Sequence, residues 1–257
     1  MKKGVSIGMN ETIRTLLNHR SIRSFTDQKI PEEQIDLMVR AAQHASTSNF
    51  FQQYSIIRVT DPAKKQALAE IGNQHYIAEA DGLFVLVVDL HRNAAIAKAK
   101  EQPSDVLGST DFFFRAFSDT VIAAQNLVTA AESLGLGAVY LGSILNDPQA
   151  VVDLLKLPKL TFPAFGVATG YPNQAPQLKP RLPKEAVYFE NEYHSMEQPL
   201  EELKDYDHVV NQYYDLRDAN RRVDTFTNQI AKAVTGTQSE NKKKMMETLK
   251  AQGLFQY

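Results

Sequence analysis

The run His19-Arg20-Ser21-Ile22-Arg23-Ser24 sets an imidazole, two guanidiniums and two hydroxyls within six residues. Forked, permanently charged donors of this kind suit a phosphate monoester. The same run also reads as a solvated basic connection, because short basic runs commonly bind nothing specific. Ala45-Ser46-Thr47-Ser48-Asn49 offers hydroxyls and an amide to a ribityl chain or a phosphate, or else to the backbone of its own turn. Lys179-Pro180-Arg181 adds two cations stiffened by a proline, in an irregular stretch that is costly to order without an anion. Three such features in one near-neutral chain tilt the reading toward an anionic ligand.

Composition narrows the chemistry. With 28 Lys+Arg against 30 Asp+Glu, the net charge of -2 lacks the basic excess that sequence-independent nucleic-acid binding uses. The absence of Cys excludes disulfides, thiolate metal sites and cysteine nucleophiles, so redox chemistry has to come from a bound cofactor. His44, His75, His91, His194 and His208 are scattered without metal-ligand spacing, and no metal is expected. Gly135-Leu136-Gly137 follows a helix and opens a strand, the reverse of a dinucleotide fingerprint. Lys242-Lys243-Lys244 reads as a solvated helix face. No secretory leader and no bilayer-length apolar run is visible, so the expectation is a soluble, cytoplasmic protein with no membrane partner.

The elements that position these residues follow from apolar spacing. Ile13, Leu16 and Leu17 recur at helical intervals as far as His19, and Ile35, Met38, Val39 and Ala42 do so after Pro31, which leaves 19–30 as a connection. Ser55 to Val59 and Leu83 to Val88 read as buried strands, with a helix from Pro62 to Ile71 between them. Ser118 to Leu134, with small residues on more than one face, is the expected central core helix, and Gly135 its left-handed cap. Ala138 to Gly142 has the composition of an inner strand, and a further strand is expected over 164–169. Prolines at 172, 176, 180 and 183 predict a long irregular loop. Amphipathic patterns over 200–216, 225–234 and 242–252 predict a helical tail outside the strand-bearing core. The whole reads as one α+β domain over residues 1–257, with 1–8 an extension and 200–257 a helical excursion.

Taken in order, His-Arg-Ser-Ile-Arg at 19–23, Ser-Thr-Ser-Asn at 46–49, Gly72-Asn73-Gln74, Ala131 to Gly137, Tyr140-Leu141-Gly142 and Leu178 to Pro183 resemble the FMN-dependent nitroreductases. More narrowly, they resemble the NADPH-dependent, oxygen-insensitive nitroreductase and flavin reductase subgroup, from about Glu11 to the C-terminus. The resemblance implies an α+β nitroreductase-like fold with a central buried helix and a mixed β-sheet. It also implies an intertwined homodimer with FMN at the interface. Carried over by position, His19, Arg20, Ser21, Ile22 and Arg23 would bind FMN, with Lys179 and Arg181 joining them. Ser46, Thr47 and Ser48 would reach the flavin of the other subunit, Gln74 would meet the ring edge, and Tyr140, Leu141, Gly142 and Ser143 would line the ring. Ser143 stands where the resemblance leads one to expect a second glycine.

The implied reaction passes a hydride from NADPH to FMN and then two electrons to a nitroaromatic, a quinone or free flavin, in a ping-pong cycle without a catalytic side chain. Arg217 and Arg222 match arginines that meet the NADPH 2′-phosphate in the subgroup, and also read as a solvent-facing helix end. The alternatives are a reductase of disulfides, azo compounds or metal oxyanions, or a flavin-binding protein without turnover.

Overall fold

The computed structural model describes residues 8–213, 224–236 and 240–257. These divide into a sheet unit, within Met1–Gln174 and Ser239–Tyr257, and a second unit, within Ala175–Gln238. In chain order the sheet unit contains α1 (Glu11–Leu17), α2 (Glu32–Gln43), β1 (Tyr54–Arg58), α3 (Pro62–Gly72), α4 (Tyr76–Glu79), β2 (Gly82–Asp89) and α5 (His91–Ala99). It continues with α6 (Thr110–Ser133), β3 (Gly137–Leu141), α7 (Pro148–Leu155) and β4 (Thr161–Gly170). The second unit carries α8 (Pro199–Glu202), α9 (Lys204–Gln212) and α10 (Phe226–Thr235), and α11 (Glu240–Lys243) and α12 (Met245–Ala251) return to the first.

The strands lie in the order β1-β2-β4-β3. Every ladder is antiparallel, where a mixed sheet was expected; the parallel pairing is an isolated bridge between Ser21 and Ala138. β2 is buried along its whole length because both faces of the sheet are covered, which is why its apolar run is continuous. Alternation sends Leu83, Val85 and Val87 to one face, against Leu68 of α3, Ile77 of α4 and Val151 of α7. Phe84 and Leu86 face α2 and α6 on the other side, meeting Met38, Ala123, Ala124 and Leu127.

Two strands expected to be inner are edges. β1 has one neighbour and is only half-buried beyond Tyr54, and β3 closes the opposite edge with Tyr140 partly exposed. Their β-branched and apolar composition reports a buried face, not a central place.

α6 starts at Thr110, well before the expected Ser118, because Ser109 caps it by accepting the Phe112 N–H at 3.3 Å. Gly135 has φ +79 at its end, as expected.

The expectation that the last helices stand outside the core is corrected for α12. Leu249 and Leu254 are buried beside Val88, Leu90, Phe113 and Phe162, and the Gln252 amide donates to the carbonyls of Pro158 and Thr161 at 2.8 and 3.1 Å.

In the second unit, residues 175–183 have no regular structure, as the prolines require. The helix expected over 200–216 breaks at Leu203, and its final residues lie outside the described ones, as do residues 1–7 of the expected extension. Asp207 of α9 accepts the N–H and the hydroxyl of Thr227 on α10, and Tyr206 packs edge-on to Phe226 at 5.3 Å. Among the described residues no helix is long and apolar enough to cross a membrane, and no group of three or more His, Asp and Glu side chains converges to hold a metal ion.

Candidate functional site

After α1 the chain runs along the free edge of β3. The Ile22 N–H donates to the Ala138 carbonyl at 3.0 Å, and Thr26 and Asn173 exchange backbone bonds with Tyr171 and Ser24 at 2.9 Å. What allows this close approach is a pair of glycines facing each other across β3 and β4, Gly137 and Gly170. A Cβ on Gly137 would lie 2.6 Å from the Ile22 side chain, and one on Gly170 would lie 2.9 Å from Phe25. Ile22 and Phe25 are thus the buried anchors of the segment, so Ile22 serves packing, while Ser21 and Arg23 remain half-buried.

The polar members of the segment are held but not neutralised. His19 Nδ1 lies 2.5 Å from Glu132 Oε1 near the end of α6. Arg20 Nη1 donates to the Asn18 carbonyl at 2.9 Å, and Arg23 Nη1 stands 3.5 Å from the Ser21 carbonyl. Neither guanidinium pairs with a carboxylate among the described residues, which leaves both charges available to an anion.

Gln74 follows the end of α3, where Asn73 takes a left-handed cap at φ 50. Its Oε1 accepts from Tyr76 Oη and from Ser143 Oγ, each at 2.8 Å. Ser143 lies in the short turn Gly142–Asn146 that follows β3. Gly142 is exposed, and the space where its Cβ would stand is open to 4 Å, so backbone there is accessible to a flat ligand. Tyr140 donates to Gln125 Oε1 at 3.1 Å and packs edge-on to Phe165 at 5.6 Å. Burial, and then the Glu132 carboxylate, push its phenol up to about 12 from 10.0, so it is a neutral hydroxyl at ordinary pH. Leu141 is buried in the core below.

The Ser46–Ser48 run sits elsewhere on the sheet unit. Asp119, buried on α6, accepts the Ser48 N–H at 2.7 Å and the Gln53 N–H at 3.2 Å, and so ties both ends of the intervening loop. Asn49, Phe50 and Gln52 inside it have φ of 52, 62 and 51, a left-handed series that side chains other than glycine rarely adopt. Among the described residues no hydrogen bond joins Ser46, Thr47 or Ser48 to the cluster at His19–Arg23, Gln74 and Tyr140–Ser143.

Lys179 and Arg181 belong to the second unit, where Arg181 Nη1 donates to the Lys179 and Pro180 carbonyls at 2.7 and 3.3 Å. Arg217 and Arg222 lie outside the described residues.

Asp119 and Tyr76 escaped the sequence reading. The signal for Asp119 was a carboxylate on the small-residue face of α6, one turn from Ala116 and Ala123. Tyr76, two residues beyond Gln74, gave no such signal.

Comparison with known proteins places most of the chain in one family. The Nitroreductase family model matches residues 16–171, and the model of the Nitroreductase family C-terminal domain matches 179–256. An FMN reductase (NADPH) of Bacillus subtilis is 44% identical over 225 residues, covering 86% of this chain and 90% of the relative. An oxygen-insensitive NADPH nitroreductase of Salmonella typhimurium is 40% identical over 246 residues, covering 95% and 98%. The solved structure of B. megaterium NfrA1 superposes with a TM-score of 0.90 at 41% identity, covering 96% of this chain and all of that one at 100%.

Proposed function

The chain belongs to the nitroreductase family, and from that premise we propose that it is an NADPH-dependent flavin oxidoreductase that uses FMN and acts on nitroaromatics, quinones or free flavin. The supporting relatives are the NADPH-dependent FMN reductase and nitroreductase named above.

The donor set of the sheet unit suits FMN. Arg20, Arg23 and Ser21 offer cationic and hydroxyl donors without a competing carboxylate, which fits a phosphate dianion. Gln74 Nε2 makes no hydrogen bond to a described residue and is free to donate to a ring-edge acceptor, and the open backbone at Gly142 accommodates a flat ring. Bound FMN would supply hydride and two-electron transfer, chemistry that no side chain of this chain supplies. The chain's own residues bind and orient: cations would hold the phosphate, Gln74 would fix the ring edge, and Tyr140 would line the ring as a neutral phenol. In this reading Lys179 and Arg181 join the cations, Ser46, Thr47 and Ser48 serve the flavin of a second copy in a homodimer, and Arg217 and Arg222 take the NADPH 2′-phosphate.

The observation that carries the proposal is that neither Arg20 nor Arg23 pairs with a carboxylate among the described residues. Mass spectrometry of the cofactor released by heat tests it. FMN is expected, and FAD as the main species would overturn it, since the site has no glycine-rich turn for a pyrophosphate.

A further inference from the structure

Gln74 has a carboxamide with two unlike ends, and its hydrogen-bond partners decide which end faces which way. Tyr76 Oη and Ser143 Oγ both approach the same atom, Oε1, at 2.8 Å. A carbonyl oxygen has two lone pairs, so two hydroxyl donors saturate it. Turning the amide over would place its amino group against both hydroxyls, and the hydroxyl protons would then need other acceptors; among the described residues Ser143 Oγ has no other hydrogen-bond partner. Ser143 is also confined: a Cβ at Gly72 would lie 3.0 Å from its Oγ, so the end of α3 closes off that side. Glycine, the residue that the resemblance leads one to expect at 143, would leave the Tyr76 hydroxyl as the one described donor on Oε1, with half the resistance to rotation of the amide.

We propose that Ser143 is a positioning residue of the flavin site: with Tyr76 it locks the Gln74 carboxamide so that Nε2, and not Oε1, is presented to the ring edge. The proposal rests on the reading of this cluster as the flavin site. A locked amino group selects an acceptor on the flavin, and two bonds accepted at Oε1 polarise the amide and strengthen its N–H donors. Ser143 thereby acts on the flavin through Gln74.

The test is a double-mutant cycle in apo-protein titrated with FMN, read by quenching of flavin fluorescence and by the position of the bound flavin's visible bands. Ser143→Ala is expected to weaken FMN binding about fivefold, the scale of one neutral hydrogen bond, and to shift the visible bands. In a Gln74→Leu background the same Ser143→Ala change is expected to do neither. An equal loss in both backgrounds would show that Ser143 acts through packing and would overturn the proposal. Unchanged binding and bands in Ser143→Ala, with normal FMN binding by the wild type, would overturn it alone. A wild-type apo-protein that does not bind FMN would overturn the reading of the site as well. If Ser143→Ala does not fold, Ser143→Gly enters the same cycle.

Discussion

Arg20 and Arg23 are partly buried cations whose recorded hydrogen bonds go to backbone carbonyls, an arrangement that leaves most of their donor capacity unused. Replacing either by Ala is expected to remove a charge-assisted contact of about 1.5 to 3 kcal/mol, or roughly tenfold to a hundredfold in FMN affinity. Titration of the apo-protein measures it, and affinity equal to wild type in both variants would remove them from the site. Tyr140 gives a pH-dependent expectation. Its phenol is raised from 10.0 to about 12 by burial and by Glu132, so the folded state holds this proton more tightly than the unfolded chain. The stability so contributed is present below pH 10 and is lost as pH rises through about 12. Tyr140→Phe should therefore flatten the fall of stability in base, measured by denaturant titration across that interval; an unchanged slope would contradict the assignment. At this scale the sequence displays residue types but not their pairing. The cations and hydroxyls of 19–24 were legible, whereas the His19–Glu132 contact joins residues 113 apart and exists only once β3 and α6 are in place.

The segment that carries those residues is positioned by elements, and its attachment is narrow: Ile22 rests on Gly137 and Phe25 on Gly170. Gly137→Ala brings a methyl to between 2.6 and 2.8 Å of the Ile22 Cβ and both its γ carbons, so rotation of that side chain cannot relieve the clash and the segment must move off β3. The expected cost is about 1 to 3 kcal/mol of stability, seen as a lower melting midpoint together with weaker FMN binding. A variant that loses stability but binds FMN normally would show that the segment does not carry the site. Strong periodicities were legible: α2, α3, β2 and the centre of α6 lie where apolar spacing put them. Position within the sheet was not, because β1 and β3 share the composition of inner strands while lying at its edges. The place of α12 was hidden for a related reason. An amphipathic helix announces that its face is covered, not what covers it, and Leu249 and Leu254 turn out to seal one end of the chain's own core.

Across the whole molecule, apolar surface remains uncovered. Ile13, Leu16 and Leu17 on α1 are 43%, 43% and 60% exposed, and Phe114, Val121 and Ile122 on α6 are 57%, 40% and 45% exposed. Such faces on the helices that flank the site suit a second copy of the chain, and a stable pair buries about 1,200 to 2,000 Å² or more. Light scattering is expected to give a dimer; a monomer that keeps stoichiometric flavin would refute both the dimer and the sharing of Ser46–Ser48 across it. The proline-rich stretch was legible as irregular, but it reads as a loop within one domain, whereas the chain divides at Ala175 and places Lys179 and Arg181 in a second unit. The central claim is that NADPH reduces a flavin held by this chain. Its most direct measurement is anaerobic mixing of the purified yellow protein with NADPH or NADH, followed by the visible absorbance. Rapid bleaching by NADPH, slower bleaching by NADH, and return of the colour on adding a nitroaromatic or a quinone are expected. Arg217→Ala and Arg222→Ala should narrow the gap between the nucleotides about tenfold or more. A protein that stays yellow in both nucleotides, yet is bleached by a chemical reductant, would contradict the account.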